Sequence, residues 1–127
     1  MDASLHEILM ELSGSLPGCL HSSVIDRETG LSLTTISSGD PLDGAGADAY
    51  HNDLYRLTEV ALSGGELGGP EGMVLTSAEA RYVSIPLEGT NFLWLLVTRR
   101  ETTVGFTQAI MRKHGPRVTE SLKALLH

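Results

Sequence analysis

Hydrophobic spacing divides the chain into elements before any other property is considered. Leu5, Ile8, Leu9, Leu12 and Leu16 recur at steps of three and four, which predicts an amphipathic helix ending near Gly14 to Pro17. After the Pro17-Gly18 break the pattern changes to short apolar runs. Cys19 to Asp26 and Leu31 to Ser37 read as strands, the second alternating Leu31, Leu33 and Thr35 with polar neighbours. Arg27-Glu28-Thr29-Gly30 joins them as a hairpin turn, with Gly30 free to take the positive φ that closes such turns.

Ser37 to Gly46 reads as a loop leading into a second helix that Asp48 or a nearby residue caps. In that helix Ala47, Tyr50, Leu54, Leu57 and Ala61 fall at steps of three and four, and Ser63-Gly64-Gly65 ends it. The segment "SGGELGGPEG" carries five glycines in ten residues and reads as a mobile connection. Met73 to Ser77, Arg81 to Leu87 and Phe92 to Arg99 follow as three strands joined by hinges short enough for antiparallel hairpins. Thr107, Met111, His114, Val118, Leu122 and Leu125 share one phase of a final helix over Thr103 to Leu126, which Gly115-Pro116 must bend or split; one bent helix is favoured. The order α-β-β-α-β-β-β-α, with hairpin-linked strands, implies an antiparallel sheet with helices laid on its faces, the α+β class.

Length and charge narrow the picture. A chain of 127 residues with 41% hydrophobic content has room for one core, so residues 1–127 are read as a single domain. No window approaches the roughly 20 apolar residues that cross a bilayer, and the acidic start Met1-Asp2 lacks a secretory signal's basic flank. A cytoplasmic protein without membrane insertion is expected. Cys19 is the only cysteine, which excludes an internal disulfide and disfavours a thiolate zinc site. The net charge of −7 argues against general nucleic-acid binding. Charge is also segregated: residues 1–98 hold 14 acids against 3 bases, and residues 99–127 hold 2 against 6. Either a charge-complementary partner meets the basic final helix, or its cations are simply solvated.

Candidate chemistry is sparse. Asp26 and Glu28 offer paired carboxylates, but aspartate before a turn is ordinary hairpin chemistry. Cys19 and His21, two apart on a strand, would share a face, yet no third residue orients them. Asp40, Asp43, Asp48 and Asp53 do not match the alternating ligands of a calcium loop and read as caps or a solvated face. The glycine-rich segment lacks the Gly-Lys-Ser/Thr ending of a phosphate loop, and Glu66 and Glu71 would repel phosphate. His6, His51 and His127 are expected at the surface and His114 packed. No catalytic residue, metal ligand or cofactor is assigned, and the chain is read as not an enzyme. What stands out is the second helix, whose apolar residues exceed one narrow stripe, beside the uncharged strand Met73-Val74-Leu75-Thr76-Ser77 at the end of the meander. An apolar edge strand must be hidden or paired, so self-association follows.

"LPGCLHSSVIDRETGLSLTTIS" (Leu16 to Ser37) resembles the opening hairpin of the roadblock, or dynein light-chain roadblock, family. "MVLTSAEARYVSIPLEGTNFLWLLVTRRETTVGFTQAIMRK" (Met73 to Lys113) is similar to that family's three-strand meander and closing helix, so the resemblance spans nearly the whole chain in element order. It implies a profilin-like sandwich, a five-stranded antiparallel sheet with the second helix on one face and the first and last helices on the other. It also implies a homodimer or heterodimer that pairs second helices and joins the following strands. The partner it implies is a small Ras-like GTPase, as in bacterial gliding-motility regulators, with the nucleotide state modulated and no cofactor needed. Carried onto this chain, the dimer surface is Tyr50, Leu54, Leu57, Ala61, Met73, Val74 and Leu75, and the GTPase surface lies near His51, Tyr55, Arg56 and Glu59. A structural adaptor without effect on turnover, or a small-molecule sensor, are the alternatives.

Overall fold

A computed structural model describes residues 4–37 and 44–126. Its elements run α1 (Leu5–Ser15), β1 (Cys19–Asp26), β2 (Ser32–Ser37), α2 (Gly44–Leu62), β3 (Met73–Thr76), β4 (Ala80–Pro86), β5 (Phe92–Arg99) and α3 (Val104–Leu125). The order matches the one read from spacing. Local chemistry explains the starts: Ser4 caps α1 by accepting from the Glu7 amide at 3.2 Å, and the Thr103 hydroxyl caps α3 by accepting from the Phe106 amide at 3.1 Å. The turn after β1 is likewise built by its residues. Asp26 Oδ1 accepts from the Glu28 amide at 2.9 Å, and Gly30 takes φ +76° while its N–H reaches the Asp26 carbonyl at 2.8 Å. The acidic corner is a bend.

The five strands form one antiparallel sheet in the order β2-β1-β5-β4-β3. Neighbours in the β1–β2 and β3–β4–β5 blocks follow chain order, while the central β1–β5 pairing joins two distant segments.

One sheet face holds the main core. Leu5, Ile8, Leu9 and Leu12 of α1 pack with Val24, Val83, Trp94 and Leu96 of the sheet and Met111, Val118 and Leu122 of α3. The Trp94 indole N–H donates to Ser22 Oγ at 3.1 Å, so its buried polar atom is satisfied. The other face has a smaller apolar patch of Ile25, Ala80, Leu95 and Val97, which leaves α2 less apolar surface to pack on.

Two register slips correct readings from spacing. Pairing between β1 and β5 shifts between Cys19 and His21, so Cys19 packs toward α1 while His21 turns to α2. The two side chains do not share a face, and burial pushes the Cys19 thiol pKa up. On β2 the register jumps from Val24–Thr34 to Ile25–Ser32, leaving Leu33 without a partner. Leu31 and Leu33 are consequently exposed, and the simple alternation does not hold.

α3 runs unbroken through Gly115-Pro116. Proline there removes the N–H that would bond the Arg112 carbonyl, and an interior Gly and Pro typically cost a helix about 1 and about 3 kcal/mol. Packing of Met111, Val118 and Leu122 on both sides of the pair holds the helix together.

Candidate functional site

α2 presents its faces in the reverse of what hydrophobicity suggests. Asp48, His51, Asn52 and Tyr55 are buried, whereas Tyr50 (74% exposed), Leu57 (64%), Val60 (71%) and Leu54 point outward. The inward face is held by polar contacts. Asp48 Oδ2 accepts from the Ser23 and Ser32 hydroxyls, each at 2.6 Å, and Oδ1 lies 2.9 Å from His21 Nε2. His21 Nδ1 is in turn 2.8 Å from Ser37 Oγ. Burial pushes the Asp48 carboxyl up, but the bonds from His21, Ser23 and Ser32 outweigh it and hold the group below the usual aspartate range.

The rest of this face follows the same plan. His51 Nε2 meets Ser84 Oγ at 2.8 Å, and burial lowers the His51 pKa to about 4, so the ring is neutral. Asn52 Nδ2 donates to the Arg27 carbonyl at 3.0 Å, and the Tyr55 hydroxyl donates to the Pro70 carbonyl at 3.2 Å, tethering the glycine-rich loop to the helix. Arg27 links the first turn to α2 through Glu59 at 3.2 Å and to the Thr90 carbonyl at 3.2 Å. Apart from Arg27 Nε and Asn52 Oδ1, which are buried without a hydrogen-bond partner, these polar atoms are paired, so their work is to dock α2 on the sheet.

Placement of the sequence candidates follows directly. Tyr50, Leu54, Leu57 and Ala61 share the outer face of α2, and Val74 is exposed on β3, with Met73 and Leu75 half-buried beside it. The two elements meet where the Thr58 hydroxyl contacts Met73 Sδ at 3.6 Å. Between them opens a hollow of about 350 Å³ walled by Tyr50, Leu54, Leu75, Tyr82 and Val97. Val60 extends the patch and was missed, although its three-residue step from Leu57 carried the signal.

The second group of candidates is corrected. His51 and Tyr55 were expected on an exposed surface, yet they are 4% and 1% exposed because both turn inward, where Ser84 of the sheet and Pro70 of the α2–β3 loop take their polar atoms. Arg56 remains exposed and bonds the Glu28 carbonyl at 3.4 Å; Glu59 is half-buried against Arg27. Asp48, expected as a cap or on a solvated face, is a buried anchor inside the helix. Asp40, Asp43 and His127 lie outside the described residues. His6 is exposed and His114 half-buried.

The sheet edges differ in kind. β3 pairs with β4 in unbroken register from Met73–Ser84 to Thr76–Arg81 and carries no charge, whereas β2 is interrupted at Leu33. A bulge is one of the devices that blunt an edge, and β3 lacks it. Among the described residues no group of three His, Cys, Asp or Glu side chains is placed to hold a metal, and no helix is long and apolar enough to cross a membrane.

This architecture recurs in solved structures. A roadblock/LC7 domain from Streptomyces avermitilis superposes with a TM-score of 0.77, covering 98% of each chain at 17% identity. The chain has the roadblock fold. A structure of MglB in a tetrameric arrangement shares that fold with a TM-score of 0.81, over 98% of this chain and 94% of that one at 12% identity. MglC from Myxococcus xanthus gives 0.67, over 93% and 98% at 19% identity. No family model matches the sequence, and no curated protein does. The sandwich that the family resemblance implied is the one found, with α2 alone on one sheet face and α1 and α3 on the other.

Proposed function

We propose that this chain is a non-enzymatic, cytoplasmic regulatory homodimer that binds a small Ras-like GTPase and biases its nucleotide state. The observation that carries the reading is an amphipathic helix turned apolar side outward, next to an uncharged sheet edge in regular register, on a roadblock fold. An exposed contiguous apolar patch of this sort marks a partner surface. In the dimer, Tyr50, Leu54, Leu57 and Ala61 of two α2 helices pack together, while Met73, Val74 and Leu75 of two β3 strands pair. A second copy then covers the hollow at the α2–β3 seam. Arg56 and Glu59, on the flank of α2 beside the first turn, are the candidates for the GTPase contact. The structural likeness to MglB and MglC supports a regulator or adaptor role.

A regulator must bind the two nucleotide states with different affinity, because a ligand with equal affinity shifts nothing. Affinity of the purified protein for a Ras-like GTPase encoded near it, loaded with GDP or a non-hydrolysable GTP analogue, is expected to differ by about tenfold. Equal affinity for both states would identify a structural adaptor instead, and absence of binding to either would remove the GTPase from the account.

A further inference from the structure

Three features of the chain have no part in the α2–β3 surface: the glycine-rich loop, the Gly115-Pro116 pair and the basic character of α3. The loop between α2 and β3 is anchored at its base, where Tyr55 holds Pro70 and the Gly65 N–H bonds the Leu62 carbonyl at 3.1 Å. At its tip Leu67 is 101% exposed, between Glu66 and a Gly68 at φ +89°. A leucine held wholly in water on a turn that only glycine readily forms is a knob without a hole.

A hole exists elsewhere on the surface. A groove of about 710 Å³ runs between α3 and the β4–β5 turn, with Ile85, Leu87, Met111 and Gly115 in its floor. Gly115 is buried, yet apart from its chain neighbours and the helix backbone a Cβ placed there would meet nothing within 4 Å, so the missing side chain leaves an empty slot. Arg112 and Lys123 stand on the rim, and among the described residues neither joins an ion pair. Glu88 and Glu120 share that rim, so an acidic ligand must register on the Arg112 and Lys123 side.

We propose that the α2–β3 loop of one copy docks in the α3 groove of another, with Leu67 in the slot and Glu66 and Glu71 facing Arg112 and Lys123. Loop and groove lie at the same end of the sheet. A Cβ on Gly72 would sit 3.5 Å from Ile85 Cγ2, and Ile85 lines the groove. A two-fold axis there lets each copy give its loop and receive its partner's, which closes the contact instead of propagating it. This surface is separate from the α2–β3 patch, so a dimer formed through α2 would assemble further through it.

Sedimentation velocity on wild type and on a Leu54→Glu variant separates the two contacts. The proposal expects species larger than dimers for wild type and, for Leu54→Glu, dimers that weaken about tenfold as salt rises, because exposed charge pairs are screened. Leu67→Asp in the Leu54→Glu background should leave monomers. The double variants Arg112→Glu/Lys123→Glu and Glu66→Lys/Glu71→Lys, each in that background, should fail to associate alone and associate when mixed, a rescue that misfolding would not produce. Wild-type dimers with monomeric Leu54→Glu overturn the loop contact and leave the α2 dimer standing. Association of Leu54→Glu that ignores Leu67→Asp, or charge-reversed variants that do not rescue each other, overturns it as well.

Discussion

Asp48 shows how much one side chain can hold. It is fully buried, and its carboxylate takes hydrogen bonds from His21, Ser23 and Ser32 across β1, β2 and α2. Replacing Asp48 with Ala leaves those donors without an acceptor, and such losses cost about 3 to 5 kcal/mol for a buried charged network. Urea unfolding should show a loss of unfolding free energy of that size, seen as a lower midpoint, with a smaller loss for Asp48→Asn, which keeps an acceptor. An unchanged midpoint for Asp48→Ala would mean that the network does not dock α2. The sequence marked Asp48 only as one of several loose acids near a helix start. Its partners lie 16 to 27 residues away, and nothing in local spacing announces that they converge.

Gly115 permits a prediction of opposite sign. Its φ is ordinary and, its chain neighbours and helix backbone aside, nothing lies within 4 Å of a Cβ there, so Gly115→Ala should stabilise the protein through helix propensity, by less than the usual ~1 kcal/mol because the new methyl meets the Pro116 ring. Thermal unfolding would register a rise of at most a few degrees. A fall would show that the slot is tighter than its geometry indicates.

Among the elements, α2 departs furthest from what its sequence suggests. Its apolar stripe was legible from period alone, but hydrophobic spacing says which residues share a face and not which way the face points. Here the sheet beneath α2 offers hydroxyls and a histidine, Ser23, Ser32, Ser84 and His21, so the polar side of the helix docks and the apolar side is left out. His51 and Tyr55 were misplaced for that reason. The polar seat also makes the docking sensitive to acid. His51 has a pKa of about 4 in the fold against 6.5 unfolded, so its contribution is fully present above 6.5 and declines as pH falls toward 4, because the unfolded chain takes up a proton that the fold excludes. Asp48, whose pKa is lowered, adds a loss that begins only near and below its unfolded value of 3.8. Between pH 7 and pH 5, His51 alone should reduce stability by about 2 kcal/mol. Unfolding measured across that window should flatten in His51→Gln, which retains a polar group for Ser84 without titrating there. An unaltered slope would assign the acid sensitivity to other groups.

For the whole molecule, the two hairpin-linked blocks of the sheet were readable from turn chemistry, whereas the Ser4 and Thr103 caps that start α1 and α3 were not singled out. The central pairing of β1 with β5 was not, since it joins Cys19–Asp26 to Phe92–Arg99 across most of the chain and no local signal encodes it. The roadblock resemblance implied one five-stranded sheet but not which strands meet at its centre. The fold explains why the outward face of α2 lies beside β3, for the helix sits alone on its sheet face and reaches the edge strand through Thr58 and Met73. Apolar residues at that junction are what the proposed dimer would bury at its core.

The central claim is pairing through α2 and β3, and sedimentation equilibrium tests it most directly. Wild type at micromolar concentration should have at least the mass of a dimer. With Leu67→Asp present throughout to silence the loop contact, it should be a dimer that becomes a monomer on adding Leu54→Glu or Val74→Lys, with circular dichroism unchanged. A wild-type monomer at that concentration, or Leu67→Asp dimers that persist through both substitutions, would contradict the account.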